Sequence, residues 1–139
     1  MQFDRTRILA GIATIVWLAS WFLPVVDGVA GWKAFVHALR DRDDAESAAH
    51  ILSALTNVVF PVLTGLVFSG RAIRRGLFIK VALACTLMDC YWLVTALREG
   101  EAAGLRIGYY AWLAAFALLV VSGVSIRRTS RTPTAGTPA

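Results

Sequence analysis

Four long apolar runs alternate with short polar segments along the chain. The first covers residues 8–26, ILAGIATIVWLASWFLPVV, and holds no charge. At a helical rise of ~1.5 Å per residue it extends roughly 28 Å, close to the thickness of a bilayer's hydrocarbon core. Pro24 near its end stops or bends the helix. The second run is 50–70, HILSALTNVVFPVLTGLVFSG, with Pro61 inside it. The third is 77–97, LFIKVALACTLMDCYWLVTAL, and the fourth is 108–126, GYYAWLAAFALLVVSGVSI. The pattern predicts an all-α integral membrane protein. Its expected architecture is a four-helix bundle of spans 8–26, 50–70, 77–97 and 108–126, running up-down-up-down in one domain, 1–126.

The connections carry their own signals. Within 27–49, Trp32, Phe35, Val36 and Leu39 recur at helical spacing, with Lys33, His37 and Arg40 on the other side. That predicts a short amphipathic helix over 31–40, external to the bundle and lying at the membrane surface. Asp41-Arg42-Asp43-Asp44 breaks it, and Asp43 with Glu46 resembles a capping box that opens the second span. Pro61 removes one backbone hydrogen bond and predicts a kink. Residues 71–76, RAIRRG, form a basic turn, and Lys80 snorkels back towards it. In the last span, Gly108, Ala111 and Ala115 offer a small-residue face for close helix approach, while Tyr109, Tyr110 and Trp112 mark an interfacial end. The tail 127–139 is basic and then rich in Thr, Pro and Ala, a composition expected to be disordered.

Composition sharpens this picture. The chain of 139 residues is 58% hydrophobic and 17% charged, with a mean hydropathy of +0.64. Soluble domains run nearer ~45–50% apolar and ~25% charged. The net charge of +5 is unevenly placed. Arg5, Arg7, Arg71, Arg74, Arg75, Lys80, Arg127, Arg128 and Arg131 fall on one side of the predicted bundle. Lys33, Arg40, Arg42, Arg98 and Arg106 fall on the other, among seven acids. Cytoplasmic loops carry the excess of Lys and Arg, so both termini are expected in the cytoplasm. Topology accounts for the arginines, and nothing in them points to nucleic acid. A rival reading of the first run is a cleaved signal peptide ending at Gly28-Val29-Ala30, although the run exceeds the usual ~7–15 apolar residues.

Candidate chemistry centres on Asp89, near the middle of the third run. A carboxylate at the centre of a membrane helix costs roughly 2.5–3.5 kcal/mol on insertion scales, and such acids are functional candidates by default. Ala82, Cys85, Thr86, Asp89, Trp92 and Ala96 share one helix face, and Leu87, Tyr91 and Val94 lie opposite, towards lipid. On the second run, Ser53, Asn57 and Thr64 form a polar stripe that should face protein rather than lipid. Antiparallel packing puts Asn57 at Asp89's depth, which predicts a contact between them, or one through Thr56 or Ser53. The resulting intramembrane polar cluster is Asp89, Asn57, Thr86 and Ser53. Its structural reading is a hydrogen-bonded tie between helices, and its functional reading is a proton or cation site. Trp32 and Phe35 are the candidate external interaction surface, or else pack back onto the bundle.

Other chemistry finds no support. Cys85 and Cys90 sit five residues apart on one helix and point in different directions, so they form no redox pair. His37 and His50 lie outside or at the edge of the runs, poorly placed to hold a haem. Asp41, Asp43, Asp44 and Glu46 read as a solvated loop and helix cap in preference to a metal site. No metal or cofactor is expected. No catalytic residue is assigned, because the chain shows no nucleophile–base set, Walker loop or dinucleotide fingerprint.

Leu23-Pro24, then Gly31-Trp32-Lys33-Ala34-Phe35, then Gly108-Tyr109-Tyr110-Ala111-Trp112-Leu113 resemble the segments shared by small, uncharacterised four-span membrane proteins of bacteria. The resemblance implies a multi-pass protein of the bacterial inner membrane and brings no activity with it. The expected role is that of a non-catalytic accessory or scaffold protein whose partners are the lipid bilayer and another membrane protein or a second copy of itself. The alternative is a small oligomeric transporter or proton-coupled channel using Asp89.

Overall fold

The computed structural model describes residues 4–40, 47–70 and 74–126. Five α-helices hold nearly all of them: α1 (Arg5–Phe22), α2 (Gly31–Arg40), α3 (Ser47–Ser69), α4 (Arg75–Glu99) and α5 (Ile107–Ser125). A hairpin of two short strands, β1 (Pro24–Val26) and β2 (Val29–Ala30), joins α1 to α2. The fold is all-α apart from this hairpin. Three helical stretches, Ala48–Ser69, Arg75–Glu99 and Ile107–Ser125, are long and apolar enough to cross a membrane. The Asp43–Glu46 capping box, the acidic run proposed and rejected as a metal site, Arg71 in the basic turn, and the 127–139 tail lie outside the described residues.

Local chemistry sets the element ends. Asp4 caps α1, its carboxylate accepting from the Thr6 amide at 3.1 Å. Leu23 and Pro24 then leave the helix in extended conformation. The expected run 8–26 is therefore helical only to Phe22, because Pro24 cannot continue the hydrogen-bond ladder. Gly100 ends α4 in the left-handed region at φ 76°. α3 continues unbroken through Pro61. Pro61 has no N–H, so the carbonyl one turn earlier, that of Asn57, loses its helical partner.

The four long helices pack antiparallel in sequence, each against the next around a ring. Ser122 of α5 donates to the carbonyl of Thr6 at 3.0 Å. At the other end of the same pair, Gly108 of α5 sits so close to α1's exit that an added Cβ would meet the Pro24 and Leu23 carbonyls at 2.6 and 2.8 Å. α1 meets α3 where Trp17 stacks on Phe60, with centroids 5.0 Å apart. α4 meets α5 where Gly123 lies against the Phe78 ring. Phe60, Phe78, Phe116 and Leu119 are buried at the centre, with Ala10, Ala13, Ala82 and Ala115 letting the backbones approach. Their opposite faces expose Ile15, Val62, Leu87 and Val124, a surface suited to lipid.

The three aromatic residues that open α5 differ in burial. Tyr109 is 2% exposed and Trp112 packs against the core, while Tyr110 alone of the three remains exposed. Helical spacing explains the split: positions 109 and 112 are three apart and share a face, and 110 turns away from it.

Candidate functional site

At the end of the helices away from Arg5 and Arg7, the connections fold over the helix ends. Asp27 and Gly28 form the hairpin turn with φ 47° and 81°, both positive as a type I′ turn requires. The hairpin gains a further partner in the α4–α5 connection. Asp27 donates to the Gly104 carbonyl at 3.0 Å, and Arg106 donates to the Val25 carbonyl at 2.8 Å. α2 begins hard against α1, with Gly31 donating to the Leu23 carbonyl at 3.1 Å. A Cβ at Gly31 would collide with the Ser20 carbonyl. Leu23-Pro24, Gly31 and Gly108, the ends of the three quoted segments, thus meet at one corner.

Beneath this cap is a cavity of about 820 Å³. Trp21, Phe35, Trp92, Tyr109 and Trp112 line it, with Ser20, His50, Ser53, Asn57 and Thr95 among its polar residues within the helices. Asp27, His37, Glu99 and Glu101 border it where the connections and helix ends meet. Asn57 is a junction. Its Oδ1 accepts from Trp17 Nε1 and from Trp112 Nε1, both at 3.1 Å. Two N–H donors on one atom fix that atom as oxygen. The Asn57 amide nitrogen has no partner among the described residues. His50, at the start of α3, stacks on Trp92 with centroids 4.6 Å apart. Its Nδ1 is buried and has no hydrogen-bond partner among the described residues.

Asp89 occupies a separate place. It is fully buried at 0% exposure and does not line the cavity. Thr56 reaches its Oδ1 at 3.4 Å while donating to the Ser53 carbonyl at 2.6 Å. The shorter contact holds the hydroxyl hydrogen better, so the tie to Asp89 is weak. Asp89 Oδ2 has no partner among the described residues. Tyr109 donates to the Asp89 backbone carbonyl at 2.6 Å, which fixes α5 against α4 at this level.

The four residues of the expected polar cluster therefore divide. Asp89 joins α3 through Thr56, and Ser53 enters only through its backbone carbonyl. Asn57 bonds tryptophans instead of Asp89. Thr86 donates to the Ala82 carbonyl of its own helix at 2.9 Å. The expected external pair divides too. Phe35 turns inward onto Trp21 at 5.3 Å, and Trp32 stays 46% exposed with Lys33 Nζ 5.5 Å from its ring.

Sequence reasoning passed over Trp17, Trp92, Trp112 and His50 as parts of one site, since their partners come from distant segments. It also passed over the hairpin, whose signal was present: Asp27-Gly28 between Val25-Val26 and Val29 is a strong turn pattern. No family model matches this chain, and no curated protein or solved structure matches it either.

Proposed function

We propose that this is a four-span protein of the bacterial inner membrane with both termini cytoplasmic, and that it works without catalysis as an accessory protein holding a small ligand in the capped cavity on the outer face. α1 is the fourth span of this reading. It carries Arg5 and Arg7 in its first turn, which dilutes its apolar stretch, yet it lies along α5 from Thr6 to Leu23. A helix packed along the length of a spanning helix shares its depth. The exposed Trp32 and Lys33 then sit at headgroup level, where an amphipathic ring and a snorkelling amine are both favoured.

One observation carries the ligand-binding reading: a roomy cavity lined by five aromatic residues, with the amide nitrogen of Asn57, one of its lining residues, unpartnered among the described residues. Ligand sites are concave and largely apolar with a few converging polar groups, and run roughly 300–1,000 Å³. The transporter reading draws less support, because Asp89 is fully buried and does not line the cavity.

Native mass spectrometry of the protein extracted directly into lipid nanodiscs tests the reading. The expected result is a small-molecule mass retained by the native chain and lost from Ala96→Phe, which fills part of the cavity. A bare polypeptide in every preparation would sink it.

A further inference from the structure

Three carboxylates, Asp27, Glu99 and Glu101, border the cavity, and among the described residues no lysine or arginine lines it. This runs against the chain's net charge of +5. Lys33, Arg40, Arg98 and Arg106, the described basic residues of the same end, all stay off the lining. The side chains of the three acids make no hydrogen bond or ion pair with any described residue. They are therefore not spent on holding the cap together. The same cavity is lined by the aromatic residues Trp21, Phe35, Trp92, Tyr109 and Trp112. Aromatic faces attract cations through their quadrupole and also take up apolar surface, and tryptophan does both best.

We infer that the cavity takes an organic cation with an apolar, ring-bearing body, its charge held between the bordering carboxylates and the ring faces. This assignment rests on the ligand-binding reading above and names the ligand class for it. A free metal ion does not suit the site. Among the described residues no three His, Cys, Asp or Glu side chains come together to hold one, and a small hydrated ion leaves most of about 820 Å³ unfilled. An anion meets three carboxylates at the border and, among the described residues of the lining, no lysine or arginine. A neutral apolar molecule matches the rings but leaves the acids without a role.

Three probes of similar shape and different charge separate these cases: tetraphenylphosphonium, triphenylphosphine oxide and tetraphenylborate. Each is measured by equilibrium dialysis against the full-length protein in phosphatidylcholine nanodiscs, with empty nanodiscs subtracted to remove partition into lipid. The expected result is saturable, one-to-one uptake of tetraphenylphosphonium, with the neutral oxide at least about tenfold weaker and no excess uptake of the borate. Glu99→Gln with Glu101→Gln changes two exposed, unpaired side chains and leaves the core alone. It should weaken the phosphonium by about tenfold and leave the oxide unchanged. Equal binding of the phosphonium and the oxide would overturn the cation assignment while the cavity reading stands. Absence of saturable binding by all three probes would overturn it as well. The mass retained in nanodiscs then decides whether the ligand-binding reading falls with it.

Discussion

Asn57 has one side-chain oxygen, and two indole N–H groups from two other helices share it. Replacing Asn57 by Ala leaves both indoles without the oxygen they share. Replacing Trp112 by Phe removes one donor together with its need for a partner. The asymmetry between these changes is the prediction. Asn57→Ala should lose about 1–3 kcal/mol and Trp112→Phe clearly less, because an orphaned polar group costs more than a removed pair. Reversible unfolding in mixed micelles reads the difference. Equal losses would mean that packing, not the shared hydrogen bond, holds this junction. Asp89 behaves in the opposite way. Its tie through Thr56 is long, and one carboxyl oxygen faces nothing that can bond it. Asp89→Asn keeps the shape, removes the cost of a charge in hydrocarbon and can donate to Thr56. It should match or exceed the native stability, within about 1 kcal/mol of it. A loss of several kcal/mol in the same assay would show that the carboxylate itself is required.

Between helices, contact distance turns on glycine. Gly108 has carbonyl groups of the departing α1 where a side chain would go, and Gly65 has nothing within 4 Å. Gly108→Val must push the backbone of Leu23 and Pro24 aside, which unseats the α1–α5 pair and the hairpin together. Gly65→Ala meets open space and gains helix propensity, about 0.5–1 kcal/mol. The paired expectation is a clear fall in thermal midpoint for Gly108→Val and an unchanged or higher midpoint for Gly65→Ala, read by circular dichroism in detergent. A silent Gly108→Val would remove the close-approach account of this corner. The same corner shows what the sequence could and could not tell. Apolar run lengths and Pro24 were enough to place the long helices to within a few residues, since each run stays predominantly apolar over about twenty residues whatever packs beside it. The polar face of α4 was legible for the same reason: Leu87, Tyr91 and Val94 are exposed and Ala82, Cys85 and Asp89 are buried. The hairpin had its Asp27-Gly28 turn pattern in the sequence, but its strands of three and two residues are too short to add alternation to it. Its pairing with Gly104 and Arg106 is not written locally at all. Nor is the Asn57 junction, whose partners lie 40 and 55 residues away. On α2, spacing grouped Trp32 with Phe35, yet Phe35 packs on Trp21 while Trp32 stays exposed, a division that spacing within one helix does not carry.

For the whole molecule, the placement of α1 decides the topology. Arg5, Arg7, Arg74, Arg75 and Lys80 lie at one end of the helices, where Gly70 also comes within reach of the Arg7 guanidinium. Asp27, Glu99, Glu101 and the cavity lie at the other. Three spans would leave the amino terminus on the cavity side of the membrane, and four spans return it to the basic side. The positive-inside rule favours the second arrangement, because Arg5 and Arg7 then join the larger basic group. The packing favours it too: Ser122 holds the carbonyl of Thr6 at the basic end of α5, so a non-spanning α1 would have to abandon its seat along that helix. Single cysteines at Gln2, Gly70 and Glu101, each in a chain with Cys85 and Cys90 replaced by Ala, separate the two arrangements. A membrane-impermeant maleimide added to intact bacterial spheroplasts should label the cysteine at Glu101 and should reach those at Gln2 and Gly70 only after the membrane is opened. Labelling of Gln2 from outside, with Gly70 protected, would reduce the protein to three spans and turn α1 into a surface helix.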